Sequence, residues 1–230
     1  LPRLVGPGLP GLLLGVAVFA VCAPVIGCLL DGLDRKVSAH MQGRVGPKLL
    51  QPYYDVRKLL AKEQASVNAV DEAYITCAII FCLLAGGMFI SGSNLLMCVF
   101  LVTLATLFVI IASYSARSPF ADTGADRECL QVMSYEPMLL IMTVGFFGAT
   151  QSFDTASLLT LEQPMIISLI PIFLGLLFIL TIKLRKSPFD YSYSHHAHQE
   201  LVKGITTEME GRTLAKVEIM HWCETVLFLM

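Results

Sequence analysis

Residues 73–116 run for 44 positions without one charged side chain. A membrane-crossing helix needs about 20 apolar residues, so this stretch is too long for one span and too apolar for a soluble loop. Ser91-Gly92-Ser93-Asn94 supplies a polar break near its middle. The expectation is a tight helical hairpin, with spans at about 73–91 and 94–115.

The same reasoning extends along the chain. Residues 9–30 carry no charge, and Pro10 and Pro24 are tolerated in a membrane helix. The length of that stretch and its lack of a small-residue cleavage site argue against a secretory signal. Further spans are expected at about 135–153 and 163–183, and a sixth at 219–230 is cut off. The start on Leu1 and the end on Met230 inside an apolar run read as processed or truncated ends. The expected fold class is an all-α integral membrane bundle, a single transmembrane domain over 1–230, with five complete spans and a truncated sixth. A charged fraction of 15% fits lipid, since soluble domains carry about 25%. The net charge of −2, with no aromatic-basic interleaving, leaves the bilayer rather than a nucleic acid as partner.

Fifteen of the sixteen Lys and Arg residues fall in the segments 31–72, 115–136 and 183–218, leaving only Arg3 elsewhere. Alternate loops share one side, and basic loops mark the cytoplasmic side. Loops 31–72, 116–134 and 184–218 are therefore expected in the cytoplasm, with the N-terminus outside a cytoplasmic membrane. Within the first loop, Leu49, Tyr53, Val56 and Leu60 recur at helical spacing beside Arg57, Lys58 and Lys62. That pattern predicts an amphipathic surface helix. Residues 190–212 are too rich in ionisable groups to be a plain linker.

Seven cysteines are present, but no CxxC pair, so the spacing for zinc or an iron–sulfur cluster is missing. Apolar packing is the expected role for Cys22, Cys28, Cys77, Cys82, Cys98 and Cys223; Cys129 sits in a polar stretch. Carboxylates give the sharper signal. An ionised group in a span costs roughly 2.5–3.5 kcal/mol, so it faces a cavity or a partner. Glu136 opens the fourth span, Glu224 lies inside the sixth with Glu218 ahead of it, and Glu200, Glu208 and Glu210 cluster before them. Each taken alone reads equally well as an interfacial side chain paired with Arg127, Lys203 or Lys216. Taken together they suit proton transfer. His195, His196 and His198 stand beside Glu200; without an HExxH pattern they suit a proton relay or docking better than a metal. Two classes remain from residues alone. One is an ion-conducting subunit with a large docking face; the other is a small-solute transporter, whose internal repeat is not visible here.

At the loops the sequence becomes specific. Asp34-Arg35-Lys36 followed by Gln42-Gly43-Arg44-Val45-Gly46-Pro47 resembles the "E-R-K … Q-x-R-x-G-P" loop of the core membrane subunit of respiratory complex I. Arg127 with Gln131-Val132-Met133-Ser134-Tyr135-Glu136 resembles its "R … Q-M-I-S-Y-E" motif. Ser187-Pro188-Phe189-Asp190, then Glu200-Leu201-Val202-Lys203-Gly204 and Thr207-Glu208, resembles its "P-F-D … E-L-V-x-G … E" loop. Quinone-reducing members carry Pro-Glu-Ala-Glu where this chain has His195-His196-Ala197-His198. That string is similar to the equivalent subunit of membrane-bound, energy-converting nickel–iron hydrogenases, including the formate-hydrogenlyase type.

The resemblance implies a fold of about eight spans and a coupling role beneath a peripheral redox module. It implies no cofactor in this chain, with a nickel–iron centre and iron–sulfur clusters on partner subunits. Those partners would be hydrogenase large and small subunits, an iron–sulfur subunit and antiporter-like membrane subunits. The candidate proton-transfer residues are Glu136, Asp190, Glu200, Glu208, Glu210, Glu218, Glu224, His196 and His198. The candidate docking residues are Arg35, Lys36, Arg44, Gly46, Pro47 and Arg127. The same loops would line a quinone chamber in the alternative, a complex I subunit.

Overall fold

A computed structural model describes residues 8–63, 69–158, 170–184 and 204–230. Among these residues the chain forms eight helices and no strand. In chain order they are α1 (Leu9–Met41), α2 (Gln51–Ala61), α3 (Ala69–Ile90), α4 (Leu95–Ser115), α5 (Pro119–Thr150), α6 (Thr155–Leu158), α7 (Ile170–Lys183) and α8 (Gly211–Leu229). Helices α1, α3, α4 and α5 are long and apolar enough to cross a membrane, and α7 is a shorter apolar helix. The protein is an all-α membrane bundle. Residues 163–169 of the fifth expected span lie outside the described residues, as do 185–203 of the third loop.

Several helices run past the apolar stretches that announce them. Helix α1 continues through residues 31–41, which the charge pattern assigns to a loop. Arg35 there binds Asp31 one turn back at 2.9 Å, a spacing that supports a helix even outside lipid. Helix α5 starts at Pro119 with Asp122 in its first turn, features that suit a helix N-terminus. Residues 119–134, read as loop from their polarity, are thus helical and carry Arg127 on the same rod as Glu136. Helix α8 starts at Gly211, ahead of the apolar run from 219, so Glu218 and Glu224 share it.

Helix α2 forms where its spacing predicts, but it presents a different edge. Pro52 and Val56 are buried, whereas Tyr53 and Leu60 are about half exposed. The buried edge rests against α8, where Val56 joins Cys28, Ala215 and Trp222 in a small apolar cluster. The rest of the predicted stripe faces outward.

Small residues let the helices approach closely. A Cβ on Gly15 of α1 would stand 2.6 Å from the Gly87 carbonyl oxygen of α3. On Gly27 it would stand 2.6 Å from both the Cβ and the carbonyl oxygen of Trp222 in α8. Where lipid tails are as apolar as leucine, such contacts are a main source of helix association. The core then fills with Phe19, Ile75, Cys82, Val109, Tyr135 and Ile179, all nearly sealed.

The α3–α4 turn forms as the polar break predicts, with Gly92 at φ 80°, a region that glycine enters freely. Asn94 caps α4, its side-chain oxygen accepting from the Leu96 N–H at 2.9 Å. This turn is fastened to the end of α5. The Leu95 N–H donates to the Phe153 carbonyl at 2.8 Å and the Thr155 N–H to the Ser93 carbonyl at 3.0 Å. The Thr155 hydroxyl donates to the Phe89 and Ser93 carbonyls at 3.2 Å each. Asn94→Ala is expected to lower stability by about 0.5–2 kcal/mol, read as a lower unfolding temperature of the lipid-embedded protein.

Candidate functional site

Three buried charges, Lys183, Glu224 and Glu128, meet where α5, α7 and α8 converge. Lys183 ends the apolar helix α7, and Glu224 lies in the apolar half of α8. Their side chains are each 7% exposed, and Nζ of Lys183 sits 2.5 Å from Oε1 of Glu224. The ammonium also reaches Thr106 Oγ1 of α4 at 3.4 Å. It lies 4.5 Å from the centre of the Tyr135 ring, within cation–π range.

Helix periodicity brings more polar groups to the same place. Glu128, Gln131 and Tyr135 follow an i, i+3, i+7 spacing on α5, which sets them on one face. They line a small cavity together with Lys183 and Glu224. Glu128 is 6% exposed and Tyr135 2%. In such a low-dielectric setting one charge feels another far more strongly than in water, so moving a proton at one member changes the energy of the rest.

A second polar group forms where α3 begins. Lys216 of α8 binds Glu72 at 2.8 Å and the Thr76 hydroxyl at 3.0 Å. Buried Asp71 accepts a hydrogen bond from Ser115 at the end of α4. Nearer the surface, Lys62, just past the end of α2, meets Glu210 at 3.2 Å, and Arg35 meets both Asp31 and Asp55. Between α1 and α8 lies a cleft of about 180 Å³, lined by Asp31, Asp34, His221, Trp222 and Thr225 among others. The Trp222 Nε1 is buried without a hydrogen-bond partner among the described residues.

The residues singled out from sequence separate across this frame. Glu224 is in the buried cluster. Glu136 is half-buried on α5, and Glu218 is half-buried on α8. Glu208 is exposed ahead of α8, while Glu210 takes the N-cap position of that helix and pairs with Lys62. Asp190, Glu200, His196 and His198 lie outside the described residues. Of the docking candidates, Arg35, Lys36, Arg44 and Pro47 are exposed, and Gly46 and Arg127 are half-buried. Val45 between them is 97% exposed. Among the described residues no three His, Cys, Asp or Glu side chains converge as metal ligands.

Lys183, Glu128, Asp71 and Glu72 are absent from the sequence candidates. Lys183 was legible: a lysine closing one apolar segment and a glutamate inside another imply a partner for each. Glu128 was legible once residues 119–134 are read as helix, because its spacing to Gln131 and Tyr135 then becomes visible.

Comparison with known proteins adds the following. A sequence-family model described as NADH dehydrogenase matches residues 14–230. Hydrogenase-4 component C of Escherichia coli (strain K12) is 26% identical over 219 residues, covering 87% of this chain and 69% of its own. NADH-ubiquinone oxidoreductase chain 1 of Trichophyton rubrum is 30% identical over 217 residues, covering 85% of this chain and 62% of its own. The chain thus spans about two thirds of the length of these curated relatives. A chain in the membrane-bound sulfane sulfur reductase, an archaeal respiratory membrane complex, superposes with a TM-score of 0.84 at 22% identity. That match covers 95% of this chain and 76% of the other, and it establishes a shared fold.

Proposed function

The chain belongs to the NADH dehydrogenase subunit 1 family, and from that premise we propose that it is the membrane-anchoring and coupling subunit of an energy-converting nickel–iron hydrogenase. The observation that carries a coupling role is the sealed Lys183–Glu224 pair with Glu128 and Tyr135 beside it. Charge kept this deep in a membrane bundle is costly and is kept for a function. The hydrogenase branch is favoured by the His195-His196-Ala197-His198 string and by the likeness to Hydrogenase-4 component C.

In this reading the redox chemistry belongs to partner subunits, which hold a nickel–iron centre and iron–sulfur clusters. The exposed Arg35, Lys36, Arg44 and Pro47, with Val45 and α2 beside them, receive that peripheral arm on the cytoplasmic side. Antiporter-like neighbours complete the complex in the cytoplasmic membrane, with the N-terminus outside. Asp190, Glu200 and Glu208 pass a charge change to Glu136, with His196 and His198 as further proton carriers. Protons or sodium ions move in response.

The expected result for Glu136→Gln and Glu208→Gln is hydrogen evolution that no longer builds an ion gradient in sealed vesicles. An undiminished gradient in both variants would sink the relay. Co-purification of a nickel-containing large subunit tests the branch.

A second reading, a quinone-binding complex I subunit, is supported by the 30% identity to an NADH-ubiquinone oxidoreductase chain. The cleft between α1 and α8 also supports it, since the buried Trp222 Nε1 is a donor able to meet a ligand oxygen. Quinone-dependent turnover that an inhibitor filling this cleft blocks would decide for it.

A further inference from the structure

We infer that the outward edge of α2, where Tyr53, Tyr54 and Leu60 stand beside Arg57 and Lys58, is a binding surface for an anionic phospholipid of the surrounding membrane. The inference goes beyond the coupling role and holds whichever redox partner the chain serves.

Depth is set by what α2 packs against. The uncharged stretch 9–30 of α1, at about 1.5 Å per residue, is about as long as the roughly 30 Å hydrocarbon core is thick. Helix α2 lies beside the end of that stretch. Val56 packs with Cys28, the Leu49 carbonyl lies against Gly32, and Asp55 binds Arg35 at 3.1 Å. These contacts hold α2 along residues 28–35 of α1, where acyl chains give way to headgroups. The 42–47 loop is fixed farther along α1, with Gly46 against Lys36 and Ala39. The loop offered to a peripheral arm therefore stands beyond this level.

Helix periodicity sorts the side chains of α2. Pro52 and Val56 are buried on the edge that rests against α8. Tyr53, Arg57 and Leu60 follow an i, i+4, i+7 spacing and share an outward edge, and Tyr54 and Lys58 flank it one turn apart. Tyr53, Tyr54 and Leu60 are each about half exposed, and Arg57 and Lys58 are exposed. The two tyrosine rings meet edge to face with centroids 5.7 Å apart. Such rings settle at the headgroup level of a bilayer. Leucine suits the acyl chain, and arginine and lysine suit the phosphate.

Charge then selects the headgroup. Residues 42–63 carry five Lys or Arg and two Asp or Glu, so the segment is net basic. Of its acids, Asp55 is engaged by Arg35 and, at 3.0 Å, by Gln51, while Glu63 lies past the end of the helix. At the start of α8, Glu210 is bound to Lys62. A headgroup without net charge gains little from a basic face, whereas an anionic one is drawn to it.

Photo-crosslinking tests the surface in the assembled complex. A benzophenone amino acid replaces Leu60, and the complex is held in nanodiscs of phosphatidylcholine with a minority of phosphatidylglycerol of the same acyl chains. Mass spectrometry then identifies what is attached. Phosphatidylglycerol adducts are expected to exceed that lipid's share of the bilayer by about fivefold, the preference that one basic side chain confers near an anionic surface. Arg57→Gln with Lys58→Gln should return the adducts to the bilayer ratio. Arg57→Lys with Lys58→Arg should keep the enrichment, because the charge is unchanged. All four are substitutions of exposed side chains, so assembly is expected to survive them. Adducts in bilayer proportion from the otherwise unaltered chain, no lipid adduct, or enrichment that persists in the double Gln variant would each overturn the proposal. So would attachment to a partner-subunit peptide, which would make this edge a protein interface. None of these readouts involves hydrogen or quinone turnover, so the coupling role is tested separately.

Discussion

Lys183→Ala is expected to destabilise the assembled protein by about 3–5 kcal/mol, the cost of leaving one member of a buried ion pair without its partner. Glu224 would remain 5% exposed and would lose the ammonium that lies against it. A second change, Glu224→Leu in the same molecule, should recover most of the loss, because apolar replacements of a whole buried pair are often neutral or stabilising. Thermal unfolding in lipid nanodiscs reads both results, and the non-additivity of the two changes measures the coupling. An additive pair would mean that the two side chains do not depend on one another. The recovered variant separates roles as well. It should fold, yet fail in coupling if the pair serves proton transfer.

The second large effect is steric. Gly27→Ala puts a methyl group where Trp222 already lies, 2.6 Å from its Cβ and its carbonyl oxygen. Backbone atoms on α8 must then move, at a cost of about 1–3 kcal/mol. Trp222 is the one tryptophan in the chain and is 5% exposed, so its fluorescence reports the shift without interference in the isolated chain. A red-shifted emission with lowered stability is expected. An unchanged spectrum would mean that α1 and α8 pack less tightly than the contact indicates. Trp222 stands two residues before Glu224, so the same displacement reaches the ion pair.

The apolar half of this architecture was plain in the sequence, because uncharged stretches such as 73–116 leave a chain few alternatives to spanning helices. The all-α membrane class and the hairpin at Ser91–Asn94 follow from that alone. The helix extensions through 31–41 and 119–134 were hidden, since charged residues read as loop when hydropathy is the guide. Local ion pairs such as Arg35 with Asp31 sustain helix where lipid does not. The site was legible only by halves. Glu224 announced itself as a charge in an apolar run, but its partner is 41 positions away, and no local pattern links them. Lys183 counted as one more basic loop residue until the fold turned it inward. The edge chosen by α2 was equally out of reach, because it depends on where Trp222 and Cys28 present a surface.

The two ends of the bundle are tied by different kinds of bond. At the α3–α4 turn the fastening is made of amide and hydroxyl hydrogen bonds, from Leu95, Thr155 and Asn94, which carry no net charge. At the opposite end the ties are ionic, through Arg35, Lys62 and Lys216. Salt screens exposed ion pairs and leaves neutral hydrogen bonds nearly untouched. Raised ionic strength should therefore loosen one end of the molecule and spare the other, giving the bundle a hinge-like polarity that the surrounding electrolyte can set.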